Sequence, residues 1–393
     1  MLATRPPAPG QPTVHRSPVT LQDLLDDLLW PHLLRSWKLA LAPGRVAWCF
    51  LLVLVLGGFV GLMRWRMGDA FDALCGRIRG DFHSIVTFIS GPKEAAAAVC
   101  RLFIDTPLQL VRDHPLLILP AVPLVLLAWC VIGGAVCRSC ACEVSLRAAL
   151  PWRQAIGFGL RKAPALFAAL AGPLVLVWLA CLALRVLGLV FFTTKVMGLM
   201  GALLFIAPLL LCIVIAAALF AYVLAHPLLI PSVACEGTDS FDAVQRCYAY
   251  VFSRPGRLVG YIIVSLLAVV PAVAIVVSLV WTAVTIAVWT TGAPGVTADA
   301  AFSNAFTPGS EGHFTFSVRM VHLWVLVIAA VAAAYCLSLY FCAATSLYLV
   351  VRRLVDGQDI AELWVPPAAP PAVTLPVSSA PPAPTIPEKA DYT

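Results

Sequence analysis

Few residues in this chain have the type and spacing to do chemistry. The densest set is Cys137, Cys140 and Cys142 in "AVCRSCACEVSLRAAL", residues 135–150. A CxxC pair is half of a structural zinc centre or a redox dithiol, but zinc takes four thiolate or imidazole ligands, usually as two separated pairs. No second CxxC exists, and on a helix positions 137 and 142 do not align on one face. Cysteine also recurs inside apolar runs, as Cys49, Cys130, Cys181, Cys212, Cys336 and Cys342, where it acts as a small apolar filler. The cluster therefore reads as packing, and no metal or other cofactor is expected. The seven histidines are scattered without HExxH, and there is no GxSxG and no P-loop, so nothing marks an enzyme.

The elements that position these residues are membrane helices. Hydrophobic residues make up 61% of the chain and charged residues 12%, against about 25% charged in soluble domains. Six apolar runs, at about 46–63, 115–137, 164–184, 203–225, 258–290 and 321–351, are each long enough to cross a hydrocarbon core of about 30 Å. They are continuous rather than alternating, which selects helices over a barrel. The expected fold is all-α and polytopic, with six spans in a membrane domain over 46–365. With the N-terminus inside, internal segments hold 16 of the 26 lysines and arginines. Seven of the ten external ones lie in the long segment 64–114, where the positive-inside rule loses force. Both termini are therefore expected in the cytoplasm of a bacterial inner membrane. The net charge of +6 sits beside spans, without the aromatic-interleaved patches of a nucleic-acid binder, and is assigned to topology and lipid contact.

Residues 1–19 read as a disordered lead and 20–45 as an interfacial amphipathic helix, with Leu21, Leu24, Leu25, Leu28 and Leu29 on one face. Segment 64–114 reads as two or three interfacial helices, and 366–393, with nine prolines, as a disordered polyproline-type tail. Gly57 and Gly61 form a GxxxG in span 1, assigned to bundle packing.

A repeat runs through the internal side. Ala141-Cys142-Glu143 and Ala234-Cys235-Glu236 stand where spans 2 and 4 leave the membrane, each followed by an Arg-bearing amphipathic helix. After span 6, Asp356-Gly357-Gln358-Asp359 echoes Glu236-Gly237-Thr238-Asp239. Gly237 and Gly357 suit a left-handed helix end, while Asp239 and Asp359 can cap a following helix. The stripe Phe241, Val244, Tyr248, Val251 and Phe252 would lie against the headgroup layer, with Arg246 and Arg254 turned to phosphates. Candidate elbow and headgroup residues are thus Glu143, Glu236, Asp239, Arg246, Arg254, Asp356 and Asp359. The carboxylates either cap helices and pair with Arg138, Arg246, Arg352 or Arg353, or converge on a cation or lipid ammonium group. Pro120 and Pro208, and Pro173 and Pro271, stand in corresponding spans, as in repeats that carry a transport site. No carboxylate, lysine or arginine stands mid-span, which counts against an ion-driven carrier. Two parallel hairpins, 115–184 and 203–290, are expected to be related by an axis along the membrane normal.

The elbow "VACEGTDSFDAVQRCYAYVFSRPGRLVGY" resembles a pattern in uncharacterised bacterial six-span integral membrane proteins, a group similar to the membrane domain of glycerophosphodiester phosphodiesterases. The catalytic domain of those enzymes is absent, so the resemblance implies no activity. The expected function is a non-catalytic, lipid-contacting scaffold or accessory subunit, with membrane lipids and an unidentified membrane protein as partners. The alternatives are a carrier or scramblase-like transporter of an apolar or lipid substrate, and a lipid-metabolism enzyme.

Overall fold

The computed structural model describes residues 33–87, 91–192, 195–291 and 316–364. No strand occurs among them, and six of their helices are long and apolar enough to cross a membrane. A short helix α1 (Ser36–Ala40) leads into the first span, α2 (Pro43–Met67). Helices α3 (Asp69–Thr87), α4 (Pro92–Cys100) and α5 (Thr106–Asp113) precede the second span, α6 (Pro115–Leu146). Helix α7 (Trp152–Arg161) joins it to the third, α8 (Ala163–Phe191), and α9 (Lys195–Leu203) joins that to the fourth, α10 (Ile206–Glu236). Helix α11 (Ser240–Ser253) leads to the fifth, α12 (Pro255–Thr291), and the sixth is α13 (Phe316–Asp356). Positions 1–32 and 366–393, which hold the lead, most of the amphipathic helix and the tail, lie outside the described residues.

The spans outrun the apolar stretches that announce them. Helix α6 continues past Arg138 to Leu146, and α10 continues past His226 to Glu236, because polar side chains that find partners within the bundle do not end a membrane helix. In spans 2 and 4 the prolines fall differently from the expected correspondence. Pro208 stands in the first turn of α10, where its missing N–H costs nothing. Inside α6 stand Pro120 and Pro123, near its start, and inside α10 Pro227 and Pro231, near its end, while Pro173 and Pro271 stand inside α8 and α12 as expected. The correspondence is thus lost between spans 2 and 4 and kept between spans 3 and 5.

The even-numbered spans α6, α10 and α13 pack against one another in a central trio. Around it, α2 lies on α13 and α6, α8 on α10 and α6, and α12 on α13. The two-hairpin expectation is therefore incomplete: span 6 joins spans 2 and 4 as an equal member. Burial is concentrated at one end of this arrangement, the end where the even spans finish. There the core runs through Cys130–Cys142 of α6, Ala221–Cys235 of α10 and Ala334–Arg352 of α13. Small residues let the backbones meet. A Cβ on Gly133 would stand 2.6 Å from the Phe341 ring, and one on Gly159 of α7 would stand 2.3 Å from the Val131 carbonyl oxygen. Gly159 is thus what seats α7 on α6.

Candidate functional site

The repeated chemistry of the elbows resolves into a set of bonds that tie one helix end to the next. Arg45 of α2 donates to Glu143 of α6, to the Ser139 carbonyl at 3.1 Å and to the Leu39 carbonyl at 2.5 Å. Arg138 of α6 reaches the Ala234 carbonyl of α10 at 3.0 Å and the Trp364 carbonyl at 2.6 Å. Glu236, at the end of α10, accepts from Arg352 Nη1 at 2.7 Å and from the Tyr348 hydroxyl at 3.3 Å, both on α13. Arg246 of α11 closes on its other oxygen at 3.3 Å. Asp356, at the end of α13, accepts from the Tyr250 hydroxyl of α11. Ser338 of α13 donates to the Ala40 carbonyl at 2.9 Å, which returns the chain of bonds to the first helix.

Beyond α13 the chain folds back across this layer. Arg352, whose side chain is only 2% exposed, donates to the carbonyls of Asp359, at 2.8 Å, and Glu362. The Trp364 N–H bonds the Cys235 carbonyl at 3.2 Å, and its indole lies so near Gly237 that a Cβ there would meet the ring at 2.5 Å. The Arg138 and Lys162 cations stand 5.8 and 5.9 Å from that ring, within cation–π range. Lys162 also donates to the Gly237 carbonyl at 2.6 Å.

The predicted residues divide accordingly. Glu143, Glu236 and Asp356 each bond a group from another helix, and Glu236 and Arg246 are brought together. Asp239 occupies the N-cap position of α11, and its carbonyl takes the Ala243 N–H, but its side chain makes no capping bond. Asp359 begins no helix among the described residues; its carboxylate takes the Ala361 N–H at 3.5 Å in a tight turn. Arg254 is exposed at the end of α11. The headgroup-facing stripe is not continuous. Helix α11 buries Ala243, Cys247, Tyr250 and Val251, while Phe241 and Phe252 project outward at 76% and 63% exposure. Burial pushes the Cys247 thiol up to about 12, so it stays protonated and inert.

Cys137, Cys140 and Cys142 are all buried in α6. The first two turn toward α13, with sulfurs 3.8 and 3.9 Å from the Phe341 and Cys342 carbonyl oxygens. Among the described residues no group of three or more His, Cys, Asp or Glu side chains is placed to hold a metal ion.

Sequence reasoning missed a second place. His226 reads from the sequence as the inner end of span 4, because His-Pro interrupts the apolar run. Helix α10 instead carries it ten residues before Glu236, about 15 Å deeper at 1.5 Å per residue. Its Nδ1 stands 3.3 Å from the Tyr340 hydroxyl. The pair lines a cavity of about 1470 Å³ between α2 and α13, which runs along α2 past Gly57 and Gly61 to Arg64. Added Cβ atoms on Gly57, Gly58 and Gly61 would meet nothing, so the GxxxG face is open rather than packed. The apolar "LLIPSVAC" after the His-Pro was the signal that the span continues. No family model, no curated protein and no solved structure significantly matches this chain.

Proposed function

We propose that this protein is a non-catalytic, lipid-contacting scaffold of a bacterial cytoplasmic membrane, with its elbow end on the cytoplasmic side. The observation that carries the reading is the fate of the elbow charges: Arg45, Arg138, Arg352, Glu143, Glu236 and Asp356 are all engaged in helix-to-helix bonds around a packed trio of spans. Groups so committed stabilise an architecture built around a packed centre. The resemblance of the elbow to a pattern in uncharacterised bacterial six-span membrane proteins, a group similar to the membrane domain of glycerophosphodiester phosphodiesterases, agrees with a role as a membrane module. Reconstitution into vesicles with a fluorescent phospholipid tests the reading. A scaffold leaves the rate of transbilayer exchange at the protein-free value, whereas protein-dependent exchange overturns it.

A carrier of apolar or lipid substrate is the second reading, favoured by the cavity between α2 and α13. Its dimensions exceed the roughly 300–1,000 Å³ of ordinary small-molecule pockets. Orientation has its own test in Cys100, exposed at the end of α4 at the far end of the bundle, whereas Cys142, Cys235 and Cys247 at the elbow end are buried. A membrane-impermeant maleimide labels Cys100 in intact spheroplasts if the elbow end is cytoplasmic, and only in inverted vesicles if it is not.

A further inference from the structure

One elbow ends its span differently from the other two. Gly237 and Gly357, which end α10 and α13, take the left-handed conformation at φ +62° and +70°. The residue that ends α6 in that conformation is Arg147, at φ +52°, the one non-glycine with positive φ among the described residues. A Cβ disfavours this geometry, so a residue that keeps it where glycine serves elsewhere points to use of its side chain.

Arg147 lines a pocket of about 250 Å³ with Arg35, Glu143 and Ser346. The Glu143 carboxylate is paired with Arg45, so those two charges cancel. Arg35 and Arg147 then leave the pocket doubly positive. The carbonyl end of α6 contributes about half a negative charge, well short of two guanidinium groups. At the floor, Ser346 is 3% exposed, and its Oγ has no hydrogen-bond partner. Leu39, Val144 and Leu349 complete the wall, and the site stands where the even spans leave the apolar layer.

We propose that this pocket binds a phosphate group. Arg35 and Arg147 engage its oxygens through charge-assisted bonds, which are the stronger class, and Ser346 supplies a donor from beneath. The group belongs either to a bilayer phospholipid or to a soluble phosphate ester. The lipid source rests on the lipid-contacting reading above; the phosphate chemistry does not.

The test uses the full-length protein, delipidated in a neutral detergent and titrated with phosphatidic acid or with diacylglycerol of the same chains, with binding read by native mass spectrometry. Phosphatidic acid should bind about tenfold more tightly, as expected for losing one charged hydrogen-bonding partner. Arg147→Gly, which restores the residue the other elbows use, should raise Tm yet weaken phosphatidic acid by a similar factor. Arg35→Gln, at an exposed position, should weaken binding with Tm unchanged. Competition by inorganic phosphate assigns the site to a soluble ester, and failure to compete assigns it to the lipid headgroup; both uphold the phosphate site. Equal binding of diacylglycerol, or unaltered phosphatidic acid binding in both variants, overturns it. Neither result moves the transbilayer-exchange rate, so this proposal and the scaffold reading fail separately.

Discussion

The two ends of the bundle are opposite in packing. At the elbow end, α6, α10 and α13 bury almost every side chain. At the far end, Leu116 of α6, Leu210 of α10 and Trp324 of α13 stand 93%, 57% and 66% exposed. The difference follows from the solvent. Lipid chains are as apolar as leucine, so burying leucine against leucine yields little, and association relies on close backbone approach and hydrogen bonds. The elbow end has both: Gly133, Gly134, Ala141, Ala225, Ala234 and Ala334 for approach, and arginine, tyrosine and carboxylate groups for bonds. The far end carries branched and aromatic residues that give lipid as good a contact as another helix would. Polarity, rather than hydrophobicity, therefore decides where this membrane protein is solid.

Breaking the elbow charges is the most severe test of that contrast. Glu236→Ala leaves Arg352 buried with only carbonyl partners and should cost about 3–5 kcal/mol, the range for removing one member of a buried ion pair, measured by unfolding in mixed micelles. At the far end, the exposed Arg64–Asp72 pair at 3.1 Å should contribute no more than about 1 kcal/mol, so Asp72→Asn should barely move the transition.

Glycine replacements sharpen the comparison at intermediate size. Gly159→Ala drives a methyl into the Val131 carbonyl and should destabilise by about 1–3 kcal/mol, as overpacking does. Gly57→Ala, into open space, should stabilise by up to about 1 kcal/mol through helix propensity. A loss of stability there would show that the far end of α2 is packed against something. Gly357→Ala isolates backbone strain, since nothing surrounds it, and should cost about 1 kcal/mol. Gly237→Ala adds the clash with Trp364 and should cost more, read as the difference between the two unfolding midpoints.

Spans were legible in the sequence because length and apolarity are local properties, and the same holds for the glycine helix ends at Gly237 and Gly357. The acidic elbows were legible as a repeat, but their partners were not. Arg45 and Glu143 lie nearly a hundred residues apart, and Arg45 read only as a topological charge at the mouth of span 1. His226 was misplaced because a buried histidine and proline mimic a membrane boundary when their partners, here Tyr340 and the trio of spans, come from distant sequence. Arg147 was illegible for the opposite reason: it breaks the glycine pattern by which the other two elbows declare themselves.

The fold-back of residues 357–364 bears on how the molecule is held together. Arg138 belongs to the second span, yet one of its acceptors is the carbonyl of Trp364; Arg352 likewise waits for Asp359 and Glu362. These two arginines therefore complete their bonds only with residues 359–364 in place. The segment is a latch laid across the elbow layer, fastening the ends of spans that lie far apart in sequence.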